Sequence, residues 1–307
     1  MGHPEISCLV LAVILGGFQL RADTPIKISQ GDYHGWKNCY FMRNAQAEIV
    51  IVPAVGRIMQ FHFLGEEGPL WENEKLEGKS PDPVSREWGN FGGDKTWPAP
   101  QADWPAIAGR DWPPPAAFDS RPLEAKVHGD SVELVSPVDA HYGIRTRRLV
   151  KLDPGKPVMT VTTTYEKVEG TPRTVGIWII TQCREPQSIR VPVPEPTLYE
   201  KGYNLQCAHL PPSLKREGAT ITLTRDRATP HKIGNDAGSL VWIGEKVSLR
   251  IDSPRIAGAT YPDNQSSAEV YTNADPLPYI ELELLAPQKT MSIGDKTSQT
   301  SVYTLFR

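Results

Sequence analysis

The sequence predicts an all-β protein built from two large, stacked antiparallel sheets. Three observations point there. Apolar and polar residues alternate with a period of two from one end of the chain to the other. No segment carries the 3.6-residue apolar spacing of an amphipathic helix. Proline, at 29 of 307 residues, favours turns and sheet edges over a helical bundle. So many short strands in one chain exceed what a single open sheet accommodates, and stacking two sheets buries one face of each.

The elements follow in order. Ala47–Val52 and Arg57–Phe63 read as paired strands joined at Pro53-Ala54-Val55-Gly56. Ser131–Val135 is a short strand. Tyr142–Leu152 alternates and ends at the Asp153-Pro154-Gly155 turn. Val158–Glu166 is rich in Thr and Val, which suit a pleated surface. Thr174–Gln182 is more continuously apolar, as expected of a central strand. Ala219–Thr224, Ser239–Ile243, Lys246–Ile251, Ala268–Tyr271, Tyr279–Leu285 and Ser301–Phe306 complete the set. Gly65 to Pro122 has little strand signal and much proline and tryptophan. A segment of that length without elements of its own is expected to be functional.

The amino terminus reads as an export signal. Ile6 to Leu20 is apolar but short for a membrane span, and Ala22 offers a cleavage position. Residues 1–22 are therefore expected to be a signal peptide and 23–307 a single domain that is periplasmic or extracellular, with no membrane association after cleavage. A buried first strand is the competing reading of the same run. Cys8 would leave with the signal. Cys39, Cys183 and Cys207 would remain, enough for at most one disulfide. The net charge of −3 and the lack of a basic stripe argue against a nucleic-acid partner. No Cys-x-x-Cys or His-x-x-x-His spacing marks a zinc site, so neither metal nor cofactor is expected.

The segment Asn90-Phe91-Gly92-Gly93-Asp94-Lys95-Thr96-Trp97-Pro98-Ala99-Pro100-Gln101, followed by Trp104-Pro105, carries the strongest functional signal. Its prolines argue for a stiff loop rather than a central strand. Such a loop would present flat aromatic faces (Trp97, Trp104) beside Asn90, Asp94, Lys95 and Gln101. Sugars need that combination, since C–H faces stack on rings and hydroxyls take paired donors and acceptors. The alternative is a packed loop with its tryptophans in the core. In Tyr279–Leu285, Glu281 and Glu283 share one strand face, about 7 Å apart at 3.4 Å per residue. Crowded carboxylates raise one pKa, which suits an acid or base; a solvated outer face is the bland alternative. Arg145 and Arg147 share a face that could answer them, and His141 stands at the start of that strand as a candidate acid. Tyr261-Pro262-Asp263 reads as a turn and a ligand lip.

Taken together, the block Asn90–Gln101, His141-x-Gly143-Ile144-x-x-x-Arg148, and Tyr261-Pro262-Asp263 with Tyr279–Glu283 resemble the uncharacterised bacterial DUF4380 proteins, relatives of the galactose mutarotase-like (aldose 1-epimerase) superfamily. The resemblance implies a β-supersandwich with a carbohydrate or sugar-like small molecule on a concave sheet face. It implies a late-strand glutamate as base, by position Glu281 or Glu283. It also implies a middle-strand histidine as acid, where this chain has Gly176–Gln182, with Trp178 or Gln182 in its place and His141 as the substitute. The expected function is a mutarotase-like epimerase with Lys95, Arg145 and Asp94 binding hydroxyls and Trp97 and Trp104 stacking. The alternative is a non-catalytic exported sugar-binding module using the same pocket.

Overall fold

A computed structural model describes residues 1, 2, 25–82, 84 and 87–307. The apolar run Ile6 to Leu20, the cleavage position at Ala22 and Cys8 lie outside the described residues.

Among these residues the strands form two antiparallel sheets. The eleven-stranded sheet runs, in spatial order, β1 (Lys27–Tyr33), β2 (Trp36–Arg43), β3 (Ala47–Val52), β4 (Arg57–Phe63), β5 (Asp94–Ala99), β10 (Arg173–Arg184), β19 (Tyr279–Leu285), β18 (Ala268–Thr272), β15 (His231–Asn235) and β12 (Asn204–Leu205), with β20 (Lys289–Met291) beside β10. The ten-stranded sheet runs β13 (Lys215–Glu217), β14 (Thr220–Leu223), β11 (Ser188–Pro192), β16 (Ser239–Ile243), β17 (Ser248–Asp252), β21 (Lys296–Phe306), β9 (Val158–Lys167), β8 (Ile144–Leu152), β7 (Ser131–Val135) and β6 (Glu124–His128). Both feed one apolar cluster, to which Ile280, Leu282 and Leu284 of β19 and Val150, Val161 and Leu249 of the other sheet all belong. Stacked all-β sheets were expected, and this is that architecture.

The strands expected from alternation are all present, with ends moved by a few residues. The stretch from Gly65 to Pro122 differs from expectation. It contains β5 and two short helices, α1 (Trp104–Ala108) and α2 (Ala116–Asp119). Its Trp-Pro-Ala-Pro run is not a free loop, because Asp94–Ala99 pairs with β10 along its length. On its other side β5 meets β4 at a single described position, Ile58 opposite Asp94. Pro98 therefore sits where one flank of the strand is an edge, and its missing N–H removes no ladder bond there.

Cys39, Cys183 and Cys207 are all unpaired thiols, so the described chain has no disulfide among them.

Candidate functional site on the outer face of the large sheet

Register puts a set of polar side chains on one face of the eleven-stranded sheet. Lys95 is opposite Ile180, which is opposite Glu283, which is opposite Glu269. One step along, Gln182 is opposite Glu281, which is opposite Tyr271, and Lys232 is opposite Tyr271 on the far side. The neighbours Ile280, Leu282 and Leu284 belong to the core between the sheets, so these residues point the other way. Yet they are buried: Lys95, Glu269, Gln182 and Glu283 are at most 1% exposed. The cover comes from the tryptophan-rich segment on one side, and from Gln206 and the turn Pro262–Gln265 on the other.

The charges are arranged in two groups. Lys232 Nζ lies 2.8 Å from Glu269 Oε2 and 2.9 Å from Glu283 Oε2. Trp178 Nε1 donates to the same Glu283 oxygen at 2.6 Å, and Gln206 donates to Glu269 Oε1 at 2.7 Å. Lys232 also sits 4.6 Å from the centre of the Trp178 ring. Beside this group, Gln182 Nε2 donates to Glu281 Oε1 at 2.7 Å, and Lys95 Nζ stands 3.9 Å from that oxygen. Lys95 is otherwise held by the faces of Trp97, at 4.9 Å, and Trp88, at 5.9 Å.

Glu269 Oε2 is met only by its ion pair with Lys232, and three further polar atoms here have no hydrogen-bond or ion-pair partner at close range although they are sealed from solvent: Lys95 Nζ, Gln182 Oε1 and Glu283 Oε1. Leaving a buried donor or acceptor unmade costs about 1–3 kcal/mol each. The protonation equilibria respond to the same burial. Burial pulls Lys95 down to about 8, against the pull of Glu281. Burial pushes Glu269 up to about 7, opposed by Lys232, and Asp263 up to about 6. Glu283 is raised by burial as well. Burial works against the Lys232 cation, but Glu269 and Glu283 outweigh it and hold its pKa above the ordinary lysine range.

Of the residues the sequence singled out, the structure brings together Lys95, Trp97, Glu281 and Glu283, with Asp263 at the margin, where its backbone oxygen accepts from Gln206 at 3.3 Å. Others go elsewhere. Asp94 faces the other sheet, from which Arg148 and Tyr303 reach its carboxylate, joined by Thr181 of its own sheet; the odd–even alternation of β5 turns it inward when Lys95 turns outward. His141 and Arg145 border the ten-stranded sheet and line a separate cavity of about 930 Å³ with Arg110, Arg121 and Arg147. The glutamates are not among that cavity's lining residues, so His141 is not placed to act as their acid. Trp104 is fully buried and donates to the Pro98 carbonyl at 2.8 Å. Trp97 is 3% exposed and meets four other tryptophan rings at 5.5–5.8 Å, so neither ring is a free stacking platform. Asn90 is buried under the Asn73 side chain, Gln101 is exposed in a 3-10 turn, and Tyr261 is buried with its hydroxyl accepting from Ile256 N.

Sequence reasoning missed Lys232, Glu269 and Gln206. Glu269 was visible on an alternating strand. Lys232 lies in His-Lys-Ile-Gly-Asn, a five-residue strand whose glycine and preceding Pro230 read as a turn.

No family model matches the chain, and no curated protein matches it. Among solved structures it is similar to a galactose mutarotase-like protein from Lactobacillus casei, with a TM-score of 0.57, 10% identity, and coverage of 88% of this chain and 100% of that one. A galactose mutarotase related enzyme from Lactobacillus acidophilus gives a TM-score of 0.53 at 8% identity, covering 88% and 97% of the two chains. A TPR-domain containing protein from Parabacteroides distasonis gives 0.57 at 13% identity over 87% of this chain and 46% of that one. At these identities the likeness is one of fold: the chain adopts the galactose mutarotase-like sandwich.

Proposed function

We propose that the outer face of the large sheet binds a sugar or sugar-like molecule and performs mutarotase-like proton transfer on it. The carrying observation is the trio of buried, unpartnered polar atoms, Lys95 Nζ, Gln182 Oε1 and Glu283 Oε1. A polyhydroxylated ligand supplies both donors and acceptors to such atoms, whereas an apolar ligand would leave them unmade. Lys95 and Glu283 rise from positions two strands apart, about 10 Å at the backbone, on either side of Ile180. Ile180 is itself fully buried, so in this reading the covering tryptophan segment or the Pro262–Gln265 turn moves aside to let a ring reach the ammonium on one side and the carboxylate on the other.

Mutarotation needs a base for the anomeric hydroxyl proton and an acid for the ring oxygen. Glu283, with one oxygen held by Lys232 and Trp178 and the other free, is the base in this reading. Lys95, pulled to about 8 and without a hydrogen-bond partner, is the acid in place of a histidine. An acid whose pKa lies near the working pH donates most effectively. The resemblance of the Asn90–Gln101 block supports placing the chain with the DUF4380 proteins.

The test is nuclear magnetic resonance exchange between anomers for a panel of aldoses and uronates, alongside calorimetric titration. Glu283→Gln and Lys95→Met are expected to slow turnover by about 10²–10⁴-fold. Binding without anomer exchange would reduce the reading to a sugar-binding module. No binding to any member of the panel at millimolar concentration would overturn it.

A further inference from the structure

A second cluster of chemistry-bearing side chains lies near the other edge of the same sheet. The β1–β2 hairpin turns through His34 and Gly35, whose φ values of 44° and 90° both lie in the left-handed region. Two successive left-handed residues make the tight turn that matches the twist of paired strands. A side chain on Gly35 would come within 3.0 Å of Gly78 Cα, so glycine at both positions lets the hairpin tip press against the segment carrying Glu77. Glu72 lies five residues earlier on that same connection, fixed by its backbone bridge to Gly92.

The hairpin tip and this connection place His34 Nδ1, a Glu72 carboxylate oxygen and a Glu77 carboxylate oxygen within 4.8 Å of one another. His34 Nδ1 is 2.8 Å from Glu77 Oε1 and 3.6 Å from Glu72 Oε2. The supports around them are specific. Tyr33 OH and Gln60 Nε2 both donate to Glu72 Oε1, each at 2.7 Å. That leaves Glu72 Oε2 facing His34, sealed from solvent and without a hydrogen-bond partner, on a side chain only 11% exposed. The Tyr33 ring stacks on the His34 imidazole, with centres 4.1 Å apart and planes 7° from parallel. Glu66, Glu67, Glu74 and Arg184 line the same cavity of about 640 Å³; Glu67 is paired with Arg184 and Glu66 with Arg307, which leaves Glu74 as the further carboxylate that adds to the negative field of Glu72 and Glu77.

We propose that His34, Glu72 and Glu77 form a binding site for a divalent transition-metal ion, borderline zinc or the harder manganese. One imidazole nitrogen and two carboxylates are the donor set such ions take; all-oxygen sets suit calcium and magnesium, and thiolate sets suit softer ions. Ligands 2.0–2.2 Å from a tetrahedral ion lie about 3.4 Å apart, close to the His34–Glu72 separation. The His34–Glu77 hydrogen bond opens by less than about 1 Å to admit the ion, and solvent from the open cavity completes the coordination. Tyr33 and Gln60 act as the supports that orient a ligating carboxylate. No spacing rule exposes the site, because its donors come from a hairpin tip and two points of a long connection. It does not depend on the carbohydrate reading, since none of its ligands lies in the Lys95–Glu283 group.

The experiment is calorimetric titration of the chelator-treated full chain with zinc and, separately, manganese. Uptake of one ion per chain with micromolar or tighter affinity is expected. His34→Asn keeps a residue that tolerates the left-handed turn and, with Glu77→Gln, is expected to weaken binding at least tenfold. Tyr33→Phe, which removes a support but no ligand, is expected to weaken it about 10–100-fold. Circular dichroism of each variant should match the parent. Either of two results overturns the proposal: neither ion binds above nonspecific levels, or binding survives His34→Asn and Glu77→Gln unchanged.

Discussion

Asp94 shows how one residue separates structure from chemistry. It is fully buried between the sheets, ion-paired with Arg148 of β8 and accepting from Tyr303 OH at 2.6 Å and Thr181 Oγ1 at 2.7 Å. Each sheet thus contributes a donor, and Asp94 ties the two layers together. Arg148, drawn from the His141–Arg148 motif, has its role here and not at a ligand. Asp94→Asn keeps the shape but leaves the Arg148 guanidinium without its counter-charge. Removing one partner of a buried pair costs about 3–5 kcal/mol. Urea denaturation should show that loss, while the fraction that remains folded binds ligand normally. A selective loss of ligand affinity at unchanged stability would return Asp94 to the site. In the sequence alone, Asp94 and Lys95 look alike as polar residues beside tryptophan. Only pairing decides which of two adjacent side chains faces a ligand and which faces the core.

At the scale of elements, the Gly-Gly pair before β5 carries more than the prolines after it. Gly92 has a φ of 90°, and a side chain there would stand 2.1 Å from the Trp71 carbonyl oxygen. That close approach lets Gly93 N donate to Trp71 O at 2.9 Å and lets the Trp71–Glu72 segment run beside β10. Gly92→Ala must therefore push apart two backbones and also adopt a conformation costing about 1–3 kcal/mol by itself. Its denaturation midpoint is expected to fall well below that of Gly109→Ala, whose φ is 70° but whose side chain would meet nothing within 4 Å. Equal losses in the two variants would mean that φ alone, and not the close approach, sets the cost. Alternation found many strands because residue type changes from face to face, as Ile280, Leu282 and Leu284 do against Glu281 and Glu283, even where both faces are buried. It failed at β5, whose sequence Asp-Lys-Thr-Trp-Pro-Ala does not alternate in residue type and carries a proline. It failed again at β15, where Gly234 and the preceding Pro230 read as a turn. The candidate site suffers doubly, because Lys95, Lys232 and Glu269 sit on strands remote in sequence and adjacent only through sheet order.

For the molecule as a whole, the outer-face charges should set the pH dependence of stability. Folding raises Glu269 to about 7 and Asp263 to about 6, so between the ordinary carboxylate range and those values the folded state holds more protons than the unfolded one. Stability then falls as pH rises through that window. Folding lowers Lys95 to about 8, so between there and the ordinary lysine range the unfolded state holds more protons, and stability rises with pH. Lys232 acts in the opposite sense but only at still higher pH, because its folded pKa lies above the lysine range. Together these groups predict a stability minimum between about pH 7 and 8, with each group changing stability by at most about 1.4 kcal/mol per pH unit inside its window. Urea unfolding at pH 5, 7.5 and 9.5 should trace it. Glu269→Gln should flatten the acid limb and Lys95→Met the alkaline limb, each leaving the other intact. A bound sugar that satisfies Lys95 Nζ and Glu283 Oε1 stabilises only the folded state, and by mass action it should fill in the minimum. If the differences between variants and parent are the same at all three pH values, these groups titrate as they would in an unfolded chain. The outer face would then be a static ion-pair array with no poised acid or base.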